Sequence, residues 1–251
     1  MADHVDALRT AGQRLADAAG ATSCEAPVPT CPGWRLRDLL RHVGGVHRWA
    51  TAVVAGPLTA PPSPEEESRL METWGTDEQL VEWFRVGHRA LLAALENAPA
   101  DVACWSFLPA PSPLAFWARR QTHETTIHGF DVASAAGRPD PISTALALDG
   151  LDELVRGFLA RRERTAAPRP RRLRIEATDA ELDWLVTLVG ERRQVEVEVA
   201  PSGGGAECTV RAPAADLYLL LWNRRRADGL DVVGDPSVLA EWRATRHVTW
   251  A

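Results

Sequence analysis

The chain has no lysine, so all 28 of its basic side chains are arginines. With its many Ala, Gly and Pro residues, this points to a coding bias, and no function is read from it. No apolar run approaches the length needed to span a bilayer. The opening residues, Met1 to Asp6, have neither the basic start nor the apolar core of a secretory signal. A cytoplasmic location with no membrane partner is therefore expected. The cysteines, Cys24, Cys31, Cys104 and Cys208, form no C-x-x-C pair, which excludes a zinc knuckle. A disulfide framework is not expected in a chain of this size. A surplus of positive charge is missing too. The net charge of -6 argues against a nucleic-acid partner, whose affinity would rest on neutralised phosphates.

What is present is ordinary for a globular protein: 45% hydrophobic and 25% charged residues in 251 positions, enough for one large domain or two ordinary ones. Residues 2–20 carry Val5, Leu8, Leu15 and Ala18 on one helical stripe. Prolines from Pro27 to Pro32 interrupt the pattern. A second helix is expected from Trp34 to Val54, then a loop from Gly56 to Pro64. A third helix begins near Thr76 and runs to Leu95, and a fourth covers Leu114 to Ala136 and stops at Gly137. Four helices with proline-marked connections suggest a bundle.

A further helix is expected over Thr144 to Arg161, followed by an arginine- and proline-rich linker to Arg172. The period then becomes two. Leu173 to Ala177 and Gln194 to Val199 alternate as half-buried strands do, and Gly203 to Gly205 turn into a strand at Glu207 to Arg211. Ala214 to Asn223 and Ser237 to Trp242 look helical. The expected organisation is a two-domain α+β chain, with an all-α domain over 1–163 and a small α+β domain over 170–251.

The chemistry concentrates in the run Arg119-Arg-Gln-Thr-His-Glu-Thr-Thr-Ile-His-Gly-Phe-Asp131. Helical positions i and i+4 are separated by about 40°, so Glu124 and His128 share a face. His123 and His128 diverge by roughly 140°, so this is not the zincin H-E-x-x-H arrangement. Alone, a Glu-x-x-x-His pair is often a solvated surface pair. His42 adds weight, because it falls on the apolar side of its helix beside Leu39 and Val43. It is either a third metal ligand or a core histidine bonded to a backbone carbonyl. Three ligands would leave coordination positions open, as in a catalytic ion site. Asp131, one turn past His128, is either a surface carboxylate or the partner that fixes the His128 tautomer. His4, His47, His88 and His247 lack a comparable pattern and are read as structural or surface residues. Cys31, at a helix entry with no obvious base, is read as structural. Trp34, Trp49, Trp83 and Trp117 are read as core and groove packing, and the arginines from 161 to 174 as solvated charge rather than a phosphate site.

Pro29 to His42 reads Pro-Thr-Cys-Pro-Gly-Trp-Arg-Leu-Arg-Asp-Leu-Leu-Arg-His. With the His-Glu-x-x-x-His-x-x-Asp run after it, the chain resembles the mycothiol-dependent maleylpyruvate isomerase-like family. Tyr218-Leu-Leu-Leu-Trp-Asn-Arg and Val233-Gly-Asp-Pro extend the resemblance into the C-terminal part. It implies a DinB-like four-helix metal-binding bundle followed by a small α/β domain. It also implies a divalent ion, usually zinc, on His42, Glu124 and His128, with mycothiol as co-substrate. An arginine of the second domain is implied to reach the active site. Arg224 takes that position, with Asn223 where the family has glycine, and Arg225 and Arg226 are neighbouring candidates.

The chemistry implied is an isomerisation or an S-transfer on a small electrophile, with Arg224 clamping a substrate carboxylate. The ligand triad does not separate the two reactions. A non-catalytic binding protein, and a metalloenzyme that uses no thiol, are the other classes that fit these residues.

Overall fold

The computed structural model describes residues 1–158, 169–188 and 205–245, which fall into two compact units, Met1–Asp140 and Pro141–Ala251.

In the first unit, long apolar stripes form α1 (Ala2–Gly20), α2 (Leu36–Ala55), α4 (Leu80–Asn97) and α5 (Pro113–Ala135). The short α3 (Pro64–Met71) lies between α2 and α4, and a 3-10 turn over Asp77–Gln79 leads into α4. The local sequence sets the ends. The Ser112 hydroxyl accepts from the Ala115 amide at 3.1 Å, and Pro113 fills the first turn of α5, where no amide donor is needed. At the other end Gly137 takes φ 70°, while the Arg138 and Gly137 amides donate to the Ala133 and Ser134 carbonyls. That is the Schellman closure expected when glycine ends a helix.

The four long helices pack on one another, α1 against α5 and α4, and α2 against α4 and α5. Leu15, Leu36, Leu39, Leu40, Val43, Leu80, Phe84 and Val132 form the core at one end. Trp49, Trp105, Phe107, Phe116 and Trp117 form an aromatic cluster, in which the Trp117 indole donates to the Trp105 carbonyl at 2.7 Å.

The second unit begins with α6 (Thr144–Asp152), which continues as a π-helical turn over Glu153–Phe158. A four-stranded sheet follows, made of β1 (Arg171–Ala177), β2 (Leu182–Leu188), β3 (Cys208–Ala212) and β4 (Asp231–Gly234). Its order is β2-β1-β3-β4, with β1 and β3 parallel and both outer pairs antiparallel. Two helices, α7 (Ala214–Leu221) and α8 (Pro236–Thr245), pack on the central strands β1 and β3. Trp184 and Trp242 are fully buried there.

Several elements differ from the sequence reading. α6 packs on α7 and so belongs to the second unit, which starts at Pro141 rather than near residue 170. Arg171 and Arg172, read as linker, are strand residues of β1. α3, β2 and β4 are additional. The expected strand at Gln194 to Val199 and the linker residues 161–168 lie outside the described residues, as does His247.

Candidate metal centre

The buried face of α5 carries the polar groups of the site. Within it Arg120, Glu124, His128 and Asp131 are 1%, 3%, 7% and 0% exposed. Helical spacing of three to four residues stacks them along the helix, as the sequence pattern requires. α2 supplies His42, a half-buried residue two turns along from the helix start at Leu36.

The three residues expected as ligands meet. Glu124 Oε1 lies 3.2 Å from His42 Nε2 and 3.2 Å from His128 Nε2, and the rings of the two histidines stand edge to face at 5.0 Å. One donor atom from each residue falls within 4.8 Å of the other two. The other carboxylate oxygen, Glu124 Oε2, accepts from Arg120 Nη2 at 3.1 Å. His128 Nδ1 lies 2.8 Å from Asp131 Oδ2. Asp131 is therefore no surface carboxylate but a buried partner of the imidazole. It accepts from Nδ1–H and so orients the ring with Nε2 toward Glu124 and His42.

Charge is distributed accordingly. Burial alone would push the Glu124 carboxyl up. The hydrogen bonds from His128 and His42 and the charges of His128 and Arg120 outweigh it, holding the carboxyl well below its ordinary range. Burial likewise opposes a charged His128, but Asp131 and Glu124 together raise its pKa. A divalent ion would replace that imidazolium proton as the positive partner of two carboxylates.

Two residues of the centre escaped the sequence reading. Arg120 stands at i,i+4 from Glu124, a visible spacing, yet arginine at such a position is commonly solvated. Cys31, read as structural, places Sγ 3.3 Å from Asp131 Oδ2. No local pattern signals a contact between the entry loop of α2 and the end of α5. Trp34 is 36% exposed and sets its ring edge to face with His42 at 5.3 Å, so it borders the centre rather than the core.

The other histidines fall elsewhere. His123 turns away from the triad and faces His4, with ring centroids 6.3 Å apart, as its angle to His128 predicts. His47 bonds the Thr125 hydroxyl at 2.9 Å, and His88 is buried between α1 and α4. Burial, followed by the charge of His88, lowers the His47 pKa well below its usual value. Burial lowers that of His88 to about 4.

In the second unit Arg224 follows the end of α7. Asn223 adopts φ 59°, and the Arg224 and Asn223 amides donate to the Leu219 and Leu220 carbonyls. Asparagine thus takes the left-handed position that glycine would take, and the helix closes normally. The Arg224 guanidinium donates to the Trp222 carbonyl at 2.9 Å, Arg225 pairs with Asp216, and Arg226 pairs with Asp228 at 2.6 Å. Arg169, Arg171 and Arg174 are paired with Glu207, Asp235 and Asp183, which accounts for their charge without a phosphate.

Two family descriptions match the sequence in order. "Mycothiol maleylpyruvate isomerase N-terminal domain" covers residues 5–133, and the corresponding C-terminal domain covers residues 145–241. The fold is similar to crystal structures of the mycothiol-dependent maleylpyruvate isomerase and of a histidine-to-alanine mutant of it. Each is 13% identical with a TM-score of 0.64, covering 92% of this chain and 91% of the other. No curated protein matches the sequence. With both domains matched, and with the helical unit preceding the small sheet unit as in those structures, the chain belongs to the mycothiol maleylpyruvate isomerase family.

Proposed function

We propose that the chain is a mycothiol-dependent isomerase acting on a small unsaturated acid. In this reading a divalent ion, zinc before others, is held by His42, Glu124 and His128. The observation that carries the reading is the convergence of two imidazole nitrogens on one buried carboxylate oxygen, 3.2 Å from each. The donor set fits the ion: two neutral nitrogens and one carboxylate are a usual catalytic zinc complement, leaving room for water or a ligand. The surrounding bonds fit it as well. Asp131 occupies His128 Nδ1 and Arg120 occupies Glu124 Oε2, so the remaining lone pairs face one point.

When bound, the ion supplies positive charge that favours the thiolate of a low-molecular-weight thiol, and the thiol supplies reversible addition to an activated double bond. The chain's own residues do the rest. Arg120 and Asp131 hold the donors in place, so that little reorganisation is needed when charge develops. Trp34 walls one side of His42 with an apolar face. Arg224 is assigned the substrate carboxylate, which a guanidinium grips through two parallel bonds. Isomerisation is preferred to S-transfer because the family description names an isomerase.

Metal analysis of wild type beside His128→Ala, followed by turnover of maleylpyruvate with and without mycothiol, tests the proposal. Wild type is expected to hold about one equivalent of zinc or a similar ion, as a three-ligand catalytic site does. His128→Ala should lose the ion, and turnover should require both ion and thiol while leaving the thiol unconsumed. Consumption of thiol into product would make the protein a transferase. A wild type that neither carries nor takes up metal would sink the proposal.

A further inference from the structure

We infer that Cys31 is a positioning residue of the metal centre, its thiol fixing Asp131 and through it the orientation of His128. The inference rests on the proposed function for the ion, although its first readout needs no metal.

Three observations carry it. Asp131 Oδ2 is approached by two donors, the Cys31 thiol at 3.3 Å and His128 Nδ1 at 2.8 Å. A carboxylate oxygen offers two lone pairs in its plane, so these two donors favour one rotation of the group. Asp131 is fully buried, so losing a donor leaves a carboxylate oxygen under-satisfied at a cost. Finally, the backbone of Cys31 is held on both sides. Its amide donates to the Val28 carbonyl and its carbonyl accepts from the Trp34 amide, both at 3.0 Å, while Pro27 and Arg35 form a β-bridge around the turn. The thiol therefore approaches Asp131 from a fixed frame.

That frame is the entry to α2, the helix that carries His42, whereas Asp131, His128 and Glu124 lie on α5. One S–H···O bond thus ties the two helices that contribute ligands. Cys31 Sγ, a His128 nitrogen and an Asp131 oxygen also lie within 4.8 Å of one another, close enough to share an ion. Positioning is favoured because His128 turns Nε2 toward Glu124 and bonds Asp131 through Nδ1. One imidazole could serve two ions only by giving up its remaining N–H proton.

The test uses the full-length protein labelled with 15N-histidine. In metal-free wild type, held at a pH high enough for the imidazole to be neutral, His128 should appear as a single Nδ1–H tautomer. Cys31→Ala should mix the tautomers, and Cys31→Ser, whose hydroxyl still donates, should keep one. Zinc affinity by chelator competition should then fall about tenfold in Cys31→Ala, the low end for partners of metal ligands, and recover in Cys31→Ser. Cys24→Ser is the control for a general loosening of the entry loop, since that thiol bonds the Asp77 carbonyl instead, and it should leave both readouts unchanged. Wild-type tautomer and affinity in Cys31→Ala would overturn the inference. So would a second equivalent of zinc in wild type that Cys31→Ala loses, which would make the thiol a ligand. If no variant binds zinc, the proposed function fails, and the tautomer measurement still decides the role of Cys31.

Discussion

Arg120 and Glu124 form an ion pair one helical turn apart on α5, 3.1 Å long, with side chains only 1% and 4% exposed. Removing one partner of a buried ion pair costs about 3–5 kcal/mol in other proteins, and here His128 stays beside Glu124 and keeps part of its charge balanced. Arg120→Ala is expected to lower the unfolding free energy by up to about that amount, and to weaken metal binding because Glu124 Oε2 loses its anchor. Denaturant unfolding of the metal-free protein checks the first effect. A loss below about 1 kcal/mol would place the pair among weak surface bridges.

α1 and α4 pack closely where Gly12 meets His88. A Cβ at position 12 would lie 2.3 Å from Cε1 and Nε2 of the imidazole. Gly12→Ala gains up to about 1 kcal/mol in helix propensity, but overpacking costs about 1–3 kcal/mol. Net destabilisation is expected, and the double variant Gly12→Ala/His88→Ala should cost less than the sum of the two single changes. Additive losses would show that the ring gives way freely.

Acid should weaken the first unit before its carboxylates titrate. His88 is neutral in the fold, with a pKa of about 4, against about 6.5 when unfolded. The unfolded chain therefore takes up the proton first, and stability present above pH 6.5 is lost as pH falls toward 4. Between pH 7 and 5 the loss from His88 alone is about 2 kcal/mol, and the lowered pKa of His47 adds to it in the same direction. Unfolding curves across this range should show the slope, and His88→Phe should flatten it. An equal slope in that variant would remove His88 from the account.

Asn223 holds the left-handed turn after α7 at φ 59°. Asn223→Gly keeps the turn but loses the hydrogen bond that Asn223 Oδ1 accepts from Arg243 Nε at 3.1 Å, so it should cost only about 0.5–1.5 kcal/mol, whereas Asn223→Val should cost about 1–2 kcal/mol more for the strained backbone. Thermal unfolding of the two variants provides the check. A tolerated valine would mean that the turn rearranges.

The long helices were legible because each buries one broad stripe, and α5 because its polar residues recur at ligand spacing. The Glu124–His128 pair and His42 could be picked out for that reason. α3 was not read, since none of its residues is buried and no apolar period marks it. Its Ser63 and Glu66 do form a capping box that the sequence displays. β4 is a short edge strand with mostly exposed residues, so it shows no alternation. β2 is buried at three successive positions, Trp184, Leu185 and Val186, which hides the period of two. The contact of Cys31 with Asp131 joins positions 31 and 131, and no local spacing can announce it.

The polar strip on α5 also has a consequence for how this chain evolves. Arg120, Glu124, His128 and Asp131 occupy interior positions where leucine or methionine would pack without any desolvation penalty. Well-packed apolar replacements of buried charge clusters are often neutral or stabilising by a few kcal/mol. Selection for heat resistance alone would erase these residues early and leave a sturdier, inert bundle. Their persistence in a descendant of this chain would record continued demand for chemistry at the centre.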